Sequence, residues 1–133
     1  MGRYVNLDVL KDMDRDGLED YIRALLWQFR LCDAFWFLKV EEEYGQDMAE
    51  ELNARVWDKA GELCGREIVE RFGPFSPGVK GFFEAYRLFP WSLMVDYDVR
   101  WVSETEARVR VCECPPQMGR LKHGLPEYAC KDM

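Results

Sequence analysis

The apolar residues of this chain change their spacing once, at Pro90. Before it they recur every three or four residues; after it they alternate. The first spacing lays side chains along one face of a helix, and the second along one face of a strand. A run of helices followed by strands points to an α+β fold. At 133 residues the chain fits one domain. Within it, 1–15 is a polar lead-in, 16–90 the helical part, and 91–133 a β-hairpin with a cysteine-containing segment.

Leu18, Tyr21, Ile22, Leu25, Phe29, Cys32, Trp36, Val40 and Tyr44 form one stripe. They predict a first helix on the order of 40 Å long, from about 18 to 44. Asp16 and Glu19 read as a capping box at its start. Asp12, Asp14, Asp16 and Gly17 also copy the opening of a calcium-binding loop, but Arg23 stands where that loop needs a bidentate glutamate. Around Ala34–Leu38 the stripe becomes apolar all round, which asks for burial on two sides. A second helix, a ligand or another copy of the chain could supply the second cover, and a homodimer through the helical hairpin is expected. Gly45 ends the helix.

Met48, Leu52, Val56, Ala60, Leu63 and Ile68 predict a second helix over about 46–72, antiparallel to the first. Gly61 and Gly65 on it suggest close packing or a bend. Phe82, Phe83, Tyr86 and Phe89 predict a short third helix. Strands follow over about 93–102 and 107–112, with Asp96 and Asp98 able to face Arg108 and Arg110. A hairpin alone is marginal, so it should pack on the helices. A short helix over 116–123 completes the expected architecture.

The polar chemistry collects late. Cys112, Cys114, Cys130 and His123 bring three of the five cysteines and the only histidine within nineteen residues. Thiolates with an imidazole suit zinc or another thiolate-bound metal. Against this stands the ordinary use of cysteine as a small buried residue. Without an export signal, free thiols in a reducing cytoplasm are expected. The sulfurs of Cys114 and Cys130 are expected to meet, as two ligands, a redox couple or packed thiols.

Arg120, Lys122, His123 and Lys131 form a basic island in a chain of net charge −7. That charge disfavours nucleic acid and anionic membranes, and no apolar run is long enough to span a bilayer. Arg120 suits a small carboxylate or phosphate ligand; the plainer reading is a solvated helix face. Gln117 lies one turn before it. Asp33, beside Phe29 and Trp36, would need a partner such as Arg55 or Lys59. Glu41 is the member of Glu41–Glu43 expected to turn inward. Trp36, Asp33 and Glu41 are therefore candidate ligand-binding residues together with Gln117 and Arg120.

Two stretches carry a resemblance. Trp36-Phe37-Leu38-x-Val40-Glu41-Glu42 with Gly45, Ala49, Leu52-Asn53 and Val56-Trp57 is the first. Cys114-x-x-Gln117-x-x-Arg120 with Gly124, Tyr128 and Cys130-Lys131 is the second. Together they resemble an uncharacterised family of prokaryotic cytosolic proteins. That family is distantly similar to L-2-amino-thiazoline-4-carboxylate hydrolase-like proteins, and more loosely to 4-vinyl-reductase-type ligand-binding domains. The resemblance implies helices on an antiparallel sheet and no established activity. Its members continue past Cys130-Lys131 into a tail with further cysteines and tryptophans, whereas this sequence stops at Met133. Three functions are expected from these features: a domain binding a small molecule or metal through Cys112–Lys131, a hydrolase with Cys114 or Cys130 as nucleophile and Arg120 holding the substrate carboxylate, or a homo-oligomeric scaffold.

Overall fold

The computed structural model describes residues 6–130. Lys131 of the expected basic island lies outside the described residues. Four α-helices and one antiparallel pair of strands make up the described part, with short 3-10 turns at Asp8–Leu10 and Pro90–Leu93. The fold is α+β, as the change of period implies. The chain divides into two compact units, Met1–Phe35 and Trp36–Met133. No helix among the described residues is long and apolar enough to cross a membrane.

The first unit carries the start of α1 (Arg15–Tyr44). The helix begins earlier than the apolar stripe suggests. Asp14 rather than Asp16 does the capping: its carboxylate accepts from the Gly17 N–H at 2.8 Å. That satisfies a first-turn donor that otherwise has no partner. Glu19 bonds Arg15 one turn away instead of closing a capping box. In this unit Leu18, Tyr21, Ile22, Leu25 and Phe29 remain between 37% and 50% exposed.

The second unit opens with the end of α1. Gly45, at φ +87°, turns the chain into α2 (Gln46–Phe72), and that left-handed conformation suits glycine. Of the apolar stripe on α2 only Ile68 is buried, and the other buried positions lie on a different face. Ala49, Glu50, Asn53 and Ile68 are buried, whereas Met48, Val56 and Leu63 are exposed. Gly61 and Gly65 mediate no close approach, since nothing lies within 4 Å of where a Cβ would stand.

Helix α3 (Gly78–Tyr86) lies against the hairpin of β1 (Asp96–Ser103) and β2 (Glu106–Glu113) through rings. Phe83 meets Trp101 edge-on at 5.6 Å, and Tyr86 meets Tyr97 at 5.5 Å. Burial and the neighbouring Tyr97 both push the Tyr86 phenol above its ordinary pKa. Trp57 of α2 meets Trp91 at 5.7 Å. The strand register pairs Asp98 with Arg110, which make an ion pair at 2.7 Å. Asp96 instead faces Glu113, and Arg100 faces Arg108, so only one of the two expected acid–base pairs forms. Strand β1 also starts later than the alternation suggests, because Pro90–Leu93 is a 3-10 turn. Helix α4 (Pro115–Lys122) closes the order.

The start of α3 is held by a loop-to-helix clasp. Ser76 donates both its N–H and its hydroxyl to the Glu84 carboxylate, at 2.8 Å each. Those two bonds hold the carboxyl of Glu84 below its ordinary pKa. The clasp brings the Ser76 carbonyl onto Gly81: a Cβ there would stand 1.6 Å from that oxygen. Backbone cannot yield as a flexible side chain can. Gly81→Ala is therefore expected to destabilise the protein by about 3 kcal/mol, read as a lower midpoint in urea; Gly61→Ala should leave that midpoint unchanged or raise it.

Candidate functional site

Of the residues that sequence reading gathers as a ligand site, Glu41, Gln117 and Arg120 come together in the second unit, and much of what they hold is the chain's own backbone. Residues 125–130 have no regular secondary structure. Their peptide groups must find partners elsewhere, and side chains supply them. Arg120 Nε donates to the Pro126 carbonyl at 2.6 Å. Gln46 donates to the Glu127 carbonyl at 3.0 Å. Gln117 brackets Tyr128, donating to its carbonyl at 2.7 Å and accepting from its N–H at 3.2 Å. Glu50 accepts from the Ala129 N–H at 2.9 Å and from Gln46 at 2.9 Å.

Arg120 is the hub. It is 6% exposed, which overturns the reading of a solvated helix face. Its two terminal nitrogens make a fork on both carboxylate oxygens of Glu41, at 2.7 and 2.8 Å. The guanidinium carbon lies 5.4 Å from the Phe37 ring and 5.5 Å from the Tyr128 ring, close enough for attraction to both faces. Those two rings touch each other, with centroids 4.6 Å apart. Phe37 and Glu41 are one helical turn apart, so one face of α1 presents both the ring and the acid. Glu41 turns inward as expected, while Glu42 and Glu43 stay exposed. The bond from Arg120 holds the Glu41 carboxyl below its ordinary pKa, against burial and the nearby Glu50, which push the other way.

The fork expected to hold a ligand is thus engaged by Glu41, and Nε by Pro126. Gln117 is likewise engaged at both ends. Trp36 is half-buried beside Phe37, 6.1 Å between centroids. Asp33 is half-buried in the first unit; Lys59, one of its expected partners, forms an exposed ion pair with Glu62 at 2.7 Å. Lys122 and His123 are exposed at the end of α4.

The expected metal ligands do not assemble. Among the described residues, no three His, Cys, Asp or Glu side chains come together as a metal site. Cys112 sits on the exposed face of β2, 3.6 Å from the Asp98 carboxylate that also binds Arg110. His123 caps the far end of α4 from Cys114, which occupies the N-cap. The donor set therefore does not fit zinc, which takes four ligands in structural sites. Cys130, exposed as a residue, has Cys114 among the groups that act on its thiol. Burial first, and then the neighbouring Cys114, push the Cys130 thiol above its ordinary pKa, with Gln117 opposing through a hydrogen bond. All five cysteines are free thiols.

Glu50, buried at 6%, was missed by sequence reading, as was Gln46. The available signal was a face of α2 bearing Gln46, Ala49, Glu50 and Asn53 at three- and four-residue steps. It is polar, so an apolar-stripe criterion passes over it.

Two outcomes follow from this geometry. Removing one partner of a buried ion pair strands the other. Arg120→Ala is expected to cost about 3 kcal/mol of stability, measured by urea denaturation at neutral pH. Because the folded pKa of Glu41 is depressed, its contribution is full above the ordinary carboxylate range and fades as pH falls below about 4. The loss from Arg120→Ala should therefore shrink at pH 3. For Cys130, a raised pKa means less thiolate at neutral pH. Its alkylation by iodoacetamide should be several-fold slower in the folded protein than in guanidinium, followed by peptide mass spectrometry; equal rates would contradict the assignment.

No curated protein and no solved structure matches the chain. A family model described as a family of unknown function, DUF6125, matches residues 11–133, nearly the full sequence, and the chain belongs to that family.

Proposed function

We propose that this protein works as a self-assembling subunit, a homo-oligomeric scaffold, rather than through a thiol or metal centre of its own. One observation carries the reading. Among the described residues only Phe37, Ala49 and Ile68 are buried apolar side chains, whereas long apolar series stand exposed within each unit. In the first unit these are the α1 positions from Leu18 to Phe29; in the second they include Phe82, Trp101, Val109 and Val111. Exposed apolar series of this kind mark surfaces that another chain covers. A single domain that stayed monomeric would leave that burial unrealised.

The hydrolase reading suggested by resemblance needs an arginine open to a substrate carboxylate and a thiol that ionises readily. Arg120 has its fork on Glu41, and burial raises the pKa of the Cys130 thiol. The chemistry offered by this clamp is retention of the 125–130 segment beside Cys114. Sedimentation equilibrium over a range of micromolar concentrations decides the assembly reading. A mass of two or more times the 15.7 kDa chain is expected; a monomer at every concentration would refute it.

A further inference from the structure

We propose that Cys114 and Cys130 are a thiol pair that a hydroperoxide joins into a disulfide, fastening the 125–130 segment to the start of α4. The bond secures the fold, turns over no substrate and needs no second copy. Its basis is the ladder of contacts along α4. Arg120 takes the Pro126 carbonyl, and Gln117 takes both backbone groups of Tyr128. Three residues back along the helix thus correspond to two residues forward along the segment. One further step of each sets Cys130 beside Cys114. The lengths agree. Cys114 has extended backbone as the N-cap, so from Gln117 back to it the chain covers two helical rises and one extended step, about 6 Å. From Tyr128 to Cys130 an extended chain covers about 7 Å.

The surroundings of the two thiols fit that placement. Gln117, which holds Tyr128, also bonds the Cys130 thiol, and after burial the neighbouring Cys114 is the next influence on it. Glu50 pins the Ala129 N–H just before it. Both thiols are free, Cys114 half-buried and Cys130 exposed, so a small oxidant can reach them. Cys32, Cys64 and Cys112 lie on α1, α2 and β2 instead. The hydroperoxide is the oxidant. One sulfur attacks its O–O bond: an S–O bond forms, the O–O bond breaks, and the leaving oxygen departs with the thiol proton as water or an alcohol. The second sulfur attacks the resulting sulfenic acid: the S–S bond forms, the S–O bond breaks, and water leaves with the second proton. Two thiols lose two electrons, and one peroxide gains them. The product closes a loop from 114 to 130, which limits the freedom of the segment when its side-chain bonds open. Tyr128 of that segment packs on Phe37, so the same bond ties α4 more firmly to the end of α1.

Peptide mapping tests the pair. Full-length protein carrying Cys112→Ser is treated with hydrogen peroxide, the remaining thiols are alkylated in guanidinium, and the chain is cut with trypsin. Cleavage after Arg120 and Lys122 leaves Cys114 and Cys130 on separate peptides, so only the bond holds them together. The expected result is one link between those two peptides, within a band at single-chain mass on a non-reducing denaturing gel. The urea midpoint should rise on oxidation and return with dithiothreitol. Cys130→Ser should abolish both the link and the rise. Cys114 and Cys130 both alkylated after peroxide would overturn the proposal, as would links made chiefly to Cys32 or Cys64. A link formed with no rise in the midpoint would overturn the fastening.

Discussion

The Arg120–Glu41 fork is the contact on which the second unit depends. It joins residues 79 positions apart in sequence, one near the end of α1 and one in α4. It does so with both ions largely withdrawn from water, at 6% and 17% side-chain exposure. A pair so withdrawn gives up much hydration, and the compensation here is unusually complete. Both terminal nitrogens reach the carboxylate, Nε reaches a carbonyl, and two touching rings lie beside the guanidinium. Three of the five N–H donors of the guanidinium are thereby matched by groups the fold has already placed. Lysine has neither the plane nor the fork to do the same.

That contact explains why the face of α2 near its start is polar. A strand or helix can dock through apolar side chains because its peptide groups already pair with one another. The 125–130 segment is neither. Apart from the Leu125 N–H, which donates to the Arg120 carbonyl, its peptide groups that are bonded find side-chain partners, so the docking face must carry acceptors and donors at fixed places. Gln46, Glu50, Gln117 and Arg120 are those groups: Arg120 takes the Pro126 carbonyl, Gln46 and Gln117 share the 127–128 peptide, and Gln117 and Glu50 share the 128–129 peptide. The motif Cys114-x-x-Gln117-x-x-Arg120 is accordingly explained by helical spacing: residues three apart on α4 share a face and meet successive parts of one extended segment. A stretch that looks like a ligand site in sequence is, in this fold, a receptor for its own chain.

The elements were legible because their signals are local. Periodicity marked three helices and two strands, Pro116 and Gly124 marked the fourth helix, and Gly45 marked the turn between α1 and α2. Edges were less legible, since Asp14 competes with Asp16 for the cap and Pro90 starts a 3-10 turn instead of ending one element and freeing the next. The inward turn of Glu41 could be anticipated from Phe37 one turn earlier. Its partner could not, because nothing local in Arg120 distinguishes an arginine that will be buried from one that will be solvated. The same limit applies to Cys112, whose alternation with Cys114 depends on β2 continuing, whereas the chain leaves the strand at Glu113 and Cys114 becomes the cap of α4.

The contrast between the two units then has a physical sense. The second unit spends its specificity on polar contacts that fix one arrangement: a fork, a bracketed peptide and a ring stack admit few alternatives. The first unit has the opposite character, a seam of apolar side chains whose contacts are non-directional. Apolar burial alone would tolerate several registers and both directions of pairing. The polar clamp thus shows what apolar contacts do not supply: hydrogen-bond geometry selects a single docking of the chain on itself.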